Sequence, residues 1–279
     1  MSVKDSWKRL LVKGLIRFTR TSAIIRRLYP FAISVAFDAG IRTRIDVLRG
    51  FLRITQHEGI RLIRIGDNFD GGYVLNDSLH KELRCLSIGA GTNISFDIGI
   101  ASRVSTVHLY DHTISELPTS IELSSNIHFF KNGLGTMRDD VFVTLSDCLK
   151  KFPESSQIIL KVDIEGDEWN IFSSIDSDLL VQCQQVIIEF HNLLKIKDDA
   201  FYKTMQEAFG NLARSHSPVN VHPNNWGKVE LISGVLLPDV LEITYVRKDM
   251  LGPPISNQTE NRPNYPCNPT GDEIELNFS

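Results

Sequence analysis

Hydrophobic positions along this chain follow two different periods. Between residues 1 and 53 they recur at helical spacing: Trp7, Leu11, Leu15 and Phe18 share one face of a 3.6-residue helix, with Arg9, Lys13, Arg17 and Arg20 on the other. Pro30 interrupts the pattern, and Ile41, Ile45, Leu48 and Leu52 resume it with Arg42, Arg44, Arg49 and Arg53 between them. From about residue 83 the pattern changes to short apolar runs at 85–88, 107–110, 127–130, 158–164, 186–190 and 240–246. These runs do not alternate with polar residues, so they predict strands covered on both faces. Stretches with helical periodicity at 95–103, 144–151, 167–175 and 199–212 lie between them. Strand and helix alternating in this way predict an α/β protein built on a doubly wound, mostly parallel sheet. Beyond Gly252 the chain carries Pro253, Pro254, Pro263, Pro266 and Pro269, which predicts an extended or disordered tail. The expected organisation is a basic helical segment over 1–55, an α/β domain over 56–250 and a proline-rich tail over 251–279.

Charge sharpens this division. The net charge of −4 is uneven, because residues 1–53 hold twelve Lys and Arg against Asp5, Asp38 and Asp46 while the rest of the chain is strongly acidic. Two readings of the basic segment stand: it docks on an anionic membrane surface or an acidic protein partner, or it is a helical cap on the core with solvated charges. Nucleic acid is not expected as a partner, since no aromatic or glycine-rich recognition pattern accompanies the charge. The four cysteines, Cys85, Cys148, Cys183 and Cys267, lie far apart without paired spacing and predict reduced thiols rather than a disulfide framework. No run approaches the ~18 uncharged apolar residues of a membrane span. A cytoplasmic protein is expected, peripheral on the inner face of the membrane if the basic segment docks.

Four constellations carry chemistry. Gly89-Ala90-Gly91 leaves the first apolar run, and Asp111 ends the next one. Such a turn lets backbone approach a ligand, and an acid on the neighbouring strand suits ribose hydroxyls. The third glycine of a dinucleotide fingerprint is missing, since Thr92, Asn93 and Ile94 follow, and this favours S-adenosylmethionine over NAD. Lys161-Val-Asp-Ile-Glu-Gly-Asp-Glu-Trp169 then delivers Asp163 and Glu165 at i and i+2 from an apolar strand, with Asp167 as a helix cap. The run 186–191 likewise ends in Glu189 and His191, and His222 closes another apolar run. Asp163, His191 and His222 could hold a divalent metal, or a histidine could act as general base with Asp163 orienting it. The fourth set, Arg64-Ile-Gly and Asp70-Gly-Gly72-Tyr-Val, reads either as a plain hairpin or as a loop folding over the cofactor.

Together these motifs resemble the FkbM-like S-adenosylmethionine-dependent methyltransferases, in a branch carrying the Asp-Gly-Gly-Tyr-Val element; the resemblance covers roughly residues 60–247. It implies a seven-stranded Rossmann-like methyltransferase sheet and methyl transfer to oxygen, commonly a sugar hydroxyl. It further implies that Gly89, Ala90 and Gly91 line the methionine moiety, that Asp111 holds the ribose, and that Gly133 and Leu134 border the adenine. Arg64, Asp70 and Gly72 join the cofactor side, and Asp163 and Glu165 sit beside the acceptor. Ser87 stands where many methyltransferases carry an acid, so Asp97 or Asp70 is the substitute for the contact to the cofactor's amino group. The expected acceptor is a carbohydrate or glycan-lipid of a bacterial surface pathway. A nicotinamide-dependent oxidoreductase, or a non-catalytic scaffold acting through the basic helix, are the alternatives.

Overall fold

The computed structural model describes residues 38–118, 124–255, 262–274 and Leu276. The amphipathic pattern predicted before Pro30 lies outside the described residues. Its continuation forms helix α1 (Ala39–Leu52), which starts where Asp38 accepts a hydrogen bond from the Ile41 amide. Ile45, Leu48 and Leu52 are buried in the main core, and Phe51 stacks on Phe209 with ring centres 5.3 Å apart. The arginines of α1 find local partners: Arg42 and Arg49 reach Asp46, and Arg44 reaches Asp199 and the carbonyls of Ile196 and Lys197. Over these residues the segment caps the core.

A hairpin of β1 (Leu62–Ile65) and β2 (Tyr73–Asn76) precedes the main sheet. Along the chain follow β3 (Arg84–Ile88), α2 (Ser95–Ala101), β4 (Thr106–Tyr110), β5 (Ile127–Phe130), the short β6 (Gly133–Leu134) and β7 (Phe142–Val143), and α3 (Leu145–Leu149). Then come β8 (Ile158–Val162), α4 (Glu168–Ser174), β9 (Cys183–Phe190), α5 (Asp199–Ser215), β10 (His216–Pro223), the hairpin β11 (Val229–Ile232) and β12 (Val235–Pro238), and β13 (Leu241–Arg247). Seven strands form one sheet in the order β10-β13-β9-β8-β3-β4-β5, with β13 antiparallel to both its neighbours and the other five adjacent strands parallel.

The lack of regular apolar–polar alternation in these runs is explained by burial on both faces. Leu86 and Ile88, Leu160 and Val162, and Val186 and Ile188 enter a core shared with α1, α3, α4 and α5, while Cys85, Ile159 and Ile187 enter a second core with Phe96 and Ile100 of α2 and Tyr73 and Leu75 of β2. Strand β8 ends at Val162, two residues before the end of its apolar run, and the Asp163 amide closes the β3–β8 ladder by donating to the Ile88 carbonyl at 3.0 Å. The described part of the tail is docked: Cys267 is fully buried, the Trp226 indole donates to its carbonyl at 3.1 Å, and Asn264 and Asn220 pair their amides. All four cysteines are free and buried. Among the described residues no helix is long and apolar enough to cross a membrane.

Candidate active site

The carboxyl ends of β3, β4, β8 and β9 open onto one cleft of about 790 Å³, the place where open α/β sheets bind ligands. Gly89 turns away from β3 at φ +75°, and a Cβ there would lie 1.6 Å from the Asp163 carbonyl. Glycine is therefore what lets the tips of β3 and β8 meet. Gly91, at φ +56°, has open space where its Cβ would be, so this residue is demanded by conformation rather than by crowding. Asp111 ties the turn down. One carboxylate oxygen accepts from the Ala90 and Gly91 amides at 3.1 and 2.8 Å, and the other from the Thr113 amide and hydroxyl at 2.7 and 2.6 Å. Burial acts to raise its pKa, but these four donors outweigh it and hold the carboxyl below its usual range. Gly133 and Leu134 border the same cleft beside Phe142.

The other half of the cleft is built around Asp163. The Tyr73 hydroxyl donates to it at 2.8 Å, and Lys161 Nζ lies 3.5 Å away while donating to the Gly89 carbonyl. Burial, then the charges of Asp163 and Glu189, push the Tyr73 phenol well above its ordinary pKa, so it remains a donor. Glu189 accepts from the Asn224 amide at 2.8 Å, and its carboxyl is pushed well above the usual range by burial and then by Asp163 and Glu242. His191 closes the set, 3.6 Å from Glu189. Its Nδ1 lies 3.0 Å from Glu168, whose buried carboxylate also accepts from the Ile164 and Gly166 amides at 3.0 and 3.2 Å. Asp163, Glu189 and His191 offer donor atoms within 4.8 Å of one another, close enough to hold a cation.

Burial lowers the pKa of His191, but the Glu168 hydrogen bond and the Glu168, Glu189 and Asp163 charges overcome it and raise it from 6.5 to about 9. Carrying its proton at neutral pH, His191 is unsuited to the expected role of base. Because the folded value exceeds the unfolded one, its contribution to stability is complete below about pH 6.5 and fades as pH rises towards 9, a loss of about 3 kcal/mol. Thermal melts between pH 7 and 9.5 should show this decline, and His191→Gln should flatten it; an unchanged slope would remove the assignment.

Several expectations need correction. Arg64 and Gly72 are absent from the cleft lining. The hairpin reading holds here: the Arg64 guanidinium donates to the Asp67 carbonyl at 2.7 Å and to that of Phe69, bracing the β1–β2 loop, and a Cβ on Gly72 would strike the Asp67 carbonyl. Asp70, on the same loop, does line the cleft. The same-side argument for Asp163 and Glu165 fails because the strand has already ended: Glu165 sits at φ +62° with its side chain 86% exposed, 3.5 Å from His191 on the rim. His222 does not join Asp163 and His191. It is buried against Glu242 instead, so that metal set is not assembled. Glu168, which carries no role of its own in the sequence reading, is fully buried. Glu189 was singled out at its strand end without a role, and Tyr73, Lys161 and Asn224 were assigned none; for Lys161 and Asn224 the signal available was a polar residue inside or soon after an apolar run.

Seven carboxylates line the cleft, those of Asp70, Asp97, Asp111, Asp163, Glu165, Asp167 and Glu189, with Lys161, His112 and His191 as its basic residues. The β1–β2 loop covers the first turn of α2: Ser95 accepts from the Asp67 amide at 3.1 Å and donates to the Gly71 carbonyl, and the Asn93 amide donates to the Asp70 carbonyl and to the Asp67 carboxylate.

No family model and no curated protein matches the chain. Among solved structures it is similar to precorrin 8W decarboxylase of Methanobacterium thermoautotrophicum (16% identity, 60% of this chain and 83% of that one, TM-score 0.34). It is also similar to the fibrillarin pre-rRNA processing protein of Methanococcus jannaschii (13%, 69% and 84%, 0.38) and to a dimethyladenosine transferase from Plasmodium falciparum (14%, 61% and 58%, 0.35). At TM-scores of this size the likenesses carry no functional weight, and the site's own residues must decide its chemistry.

Proposed function

We propose that this protein is an S-adenosylmethionine-dependent methyltransferase acting on a hydroxyl, with a sugar of a bacterial surface glycan or glycan-lipid as the acceptor. The observation that carries the cofactor assignment is the covered start of α2. A dinucleotide's pyrophosphate needs the exposed amides at that position, whereas here the Ser95 amide is taken by the Asn93 side chain, and the β1–β2 loop, with the Asp67 carboxylate, is tied over the turn through the Ser95 hydroxyl and the Asn93 side-chain amide. A cleft lined predominantly by acidic side chains, with the Asp111 carboxyl held below its usual range, suits a cationic nucleoside better than a dianionic linkage. This observation disfavours the nicotinamide alternative.

S-adenosylmethionine supplies a methyl group on a sulfonium, whose in-line transfer to an acceptor oxygen leaves S-adenosylhomocysteine and one proton. Asp111 and the Gly89–Gly91 turn would hold the nucleoside, with Leu134 and Phe142 against the base. Asp97 keeps one buried carboxylate oxygen without a hydrogen-bond partner and, with Asp70, would receive the methionine ammonium. Asp163, fixed by Tyr73 and Lys161, would align the acceptor hydroxyl and take its proton, and the His191 imidazolium would offset the surrounding acids. A divalent cation on Asp163, Glu189 and His191 is the second reading, favoured by their spacing alone.

Calorimetry with S-adenosylhomocysteine tests the assignment. Micromolar binding is expected, weakened at least ~10-fold by Asp111→Ala through the loss of a charge-assisted contact. Binding of NAD in place of the homocysteine nucleoside would overturn it. Turnover is expected to survive prolonged chelation, since the proton acceptor is a carboxylate; loss of activity restored by a divalent salt would replace Asp163 alone with the cation reading.

A further inference from the structure

A second cluster of donors lies on the far edge of the same sheet. His222 of β10 faces Glu242 of β13 in direct register, and Cys267 arrives from the tail, so three positions distant in sequence meet. All three are buried, Cys267 completely. His222 Nδ1 lies 3.3 Å from one Glu242 oxygen, Cys267 Sγ lies 3.0 Å from the other, and all the donor atoms fall within 4.8 Å of one another. A tetrahedral zinc ion, with bonds of about 2.0–2.3 Å to nitrogen, oxygen and sulfur, sets its donors roughly 3.3–3.7 Å apart.

The histidine ring supplies the second argument. Its Nε2 is buried without a hydrogen-bond partner and faces the Glu273 carboxylate at 3.9 Å. In either neutral tautomer one nitrogen lone pair points at a carboxylate, Glu242 or Glu273. A cation on Nδ1 removes that conflict and leaves the Nε2 proton for Glu273, the carboxylate–histidine–metal arrangement by which ligating rings are oriented. We propose that His222, Glu242 and Cys267 form a structural site for a borderline divalent cation, zinc by its nitrogen, oxygen and sulfur donors, which fastens the proline-rich tail to the sheet edge. On binding, the Cys267 thiol gives up its proton to solvent and the thiolate becomes the ligand. This inference stands independently of the methyltransferase reading.

The test is metal analysis of the purified full-length protein after zinc loading and desalting. About one equivalent is expected, falling at least tenfold in both Cys267→Ser and His222→Gln, while Asp163→Asn retains it. Cobalt exchanged into the wild-type protein should give a thiolate-to-metal charge-transfer band, a readout that needs no variant to fold. Chelation should expose one thiol to a disulfide reagent and speed proteolysis of the tail. A chain that binds no zinc or cobalt after loading, or a metal lost with Asp163→Asn and kept in Cys267→Ser, would overturn the proposal. The second result would assign the ion to the cleft.

Discussion

Asp163→Asn is expected to lower turnover by roughly 10²–10⁴-fold, the span associated with removing a positioned proton acceptor, while affinity for S-adenosylhomocysteine changes only several-fold. The amide keeps the size of the side chain and can still accept from the Tyr73 hydroxyl, 2.8 Å away, so the cleft should hold its shape. What is lost is the group that can take a proton from the acceptor. Single-turnover kinetics beside calorimetry separate the two quantities. A variant that turns over normally, or that loses nucleoside binding in proportion, would show that Asp163 acts on the cofactor or not at all. Tyr73→Phe should fall between the two: the carboxylate stays but loses a fixed donor, so kcat should drop with little change in nucleoside affinity.

Gly89→Ala is expected to have the largest effect on the protein as a whole. The added methyl group would meet the Asp163 carbonyl at 1.6 Å, a contact with backbone that no side-chain rotation relieves, at a residue whose φ of +75° already disfavours any Cβ. Over-packing and left-handed strain together should cost about 2–5 kcal/mol. Because the clash lies between the tips of β3 and β8, it separates the cofactor half of the cleft from the acceptor half. A fall in the melting midpoint and loss of detectable S-adenosylhomocysteine binding should therefore appear together. Gly91→Ala, which meets only open space, should cost far less stability. Equal losses in the two variants would show that left-handed backbone strain dominates and that the contact between strands does not.

Much of the architecture could be read from the residues alone. The apolar runs at 85–88, 107–110, 127–130 and 186–190 were legible because these strands face apolar cores on both sides, so each carries a single polar residue, Ser87, His108, His128 or Glu189, instead of a regular alternation. Helix α3 was legible for a local reason: Thr144 and Asp147 cap it reciprocally, a signal contained within four residues. Asp111 and Gly89-Ala90-Gly91 were legible as a pair because chemistry at strand ends is set by local chain geometry. The end of β8 was not. Nothing in the run 158–164 reveals that the strand stops at Val162 and that the backbone turns to φ +62° at Glu165, and the places of Asp163 and Glu165 diverge at that point.

The sequence by itself determined which segments are strands and helices and which strand ends carry glycine or acid, because periodicity, capping and turn chemistry act over a few residues. Only the tertiary structure decided which of those ends share a solvent-shielded space. Glu168 is a plain acid at a helix start until burial places it under His191. His222 resembled a partner for His191 until the antiparallel β13 inserted Glu242 between β10 and β9 and gave it a different neighbour. The electrostatics of this protein depend on burial and on distances between residues far apart in the chain, and neither is encoded in local order.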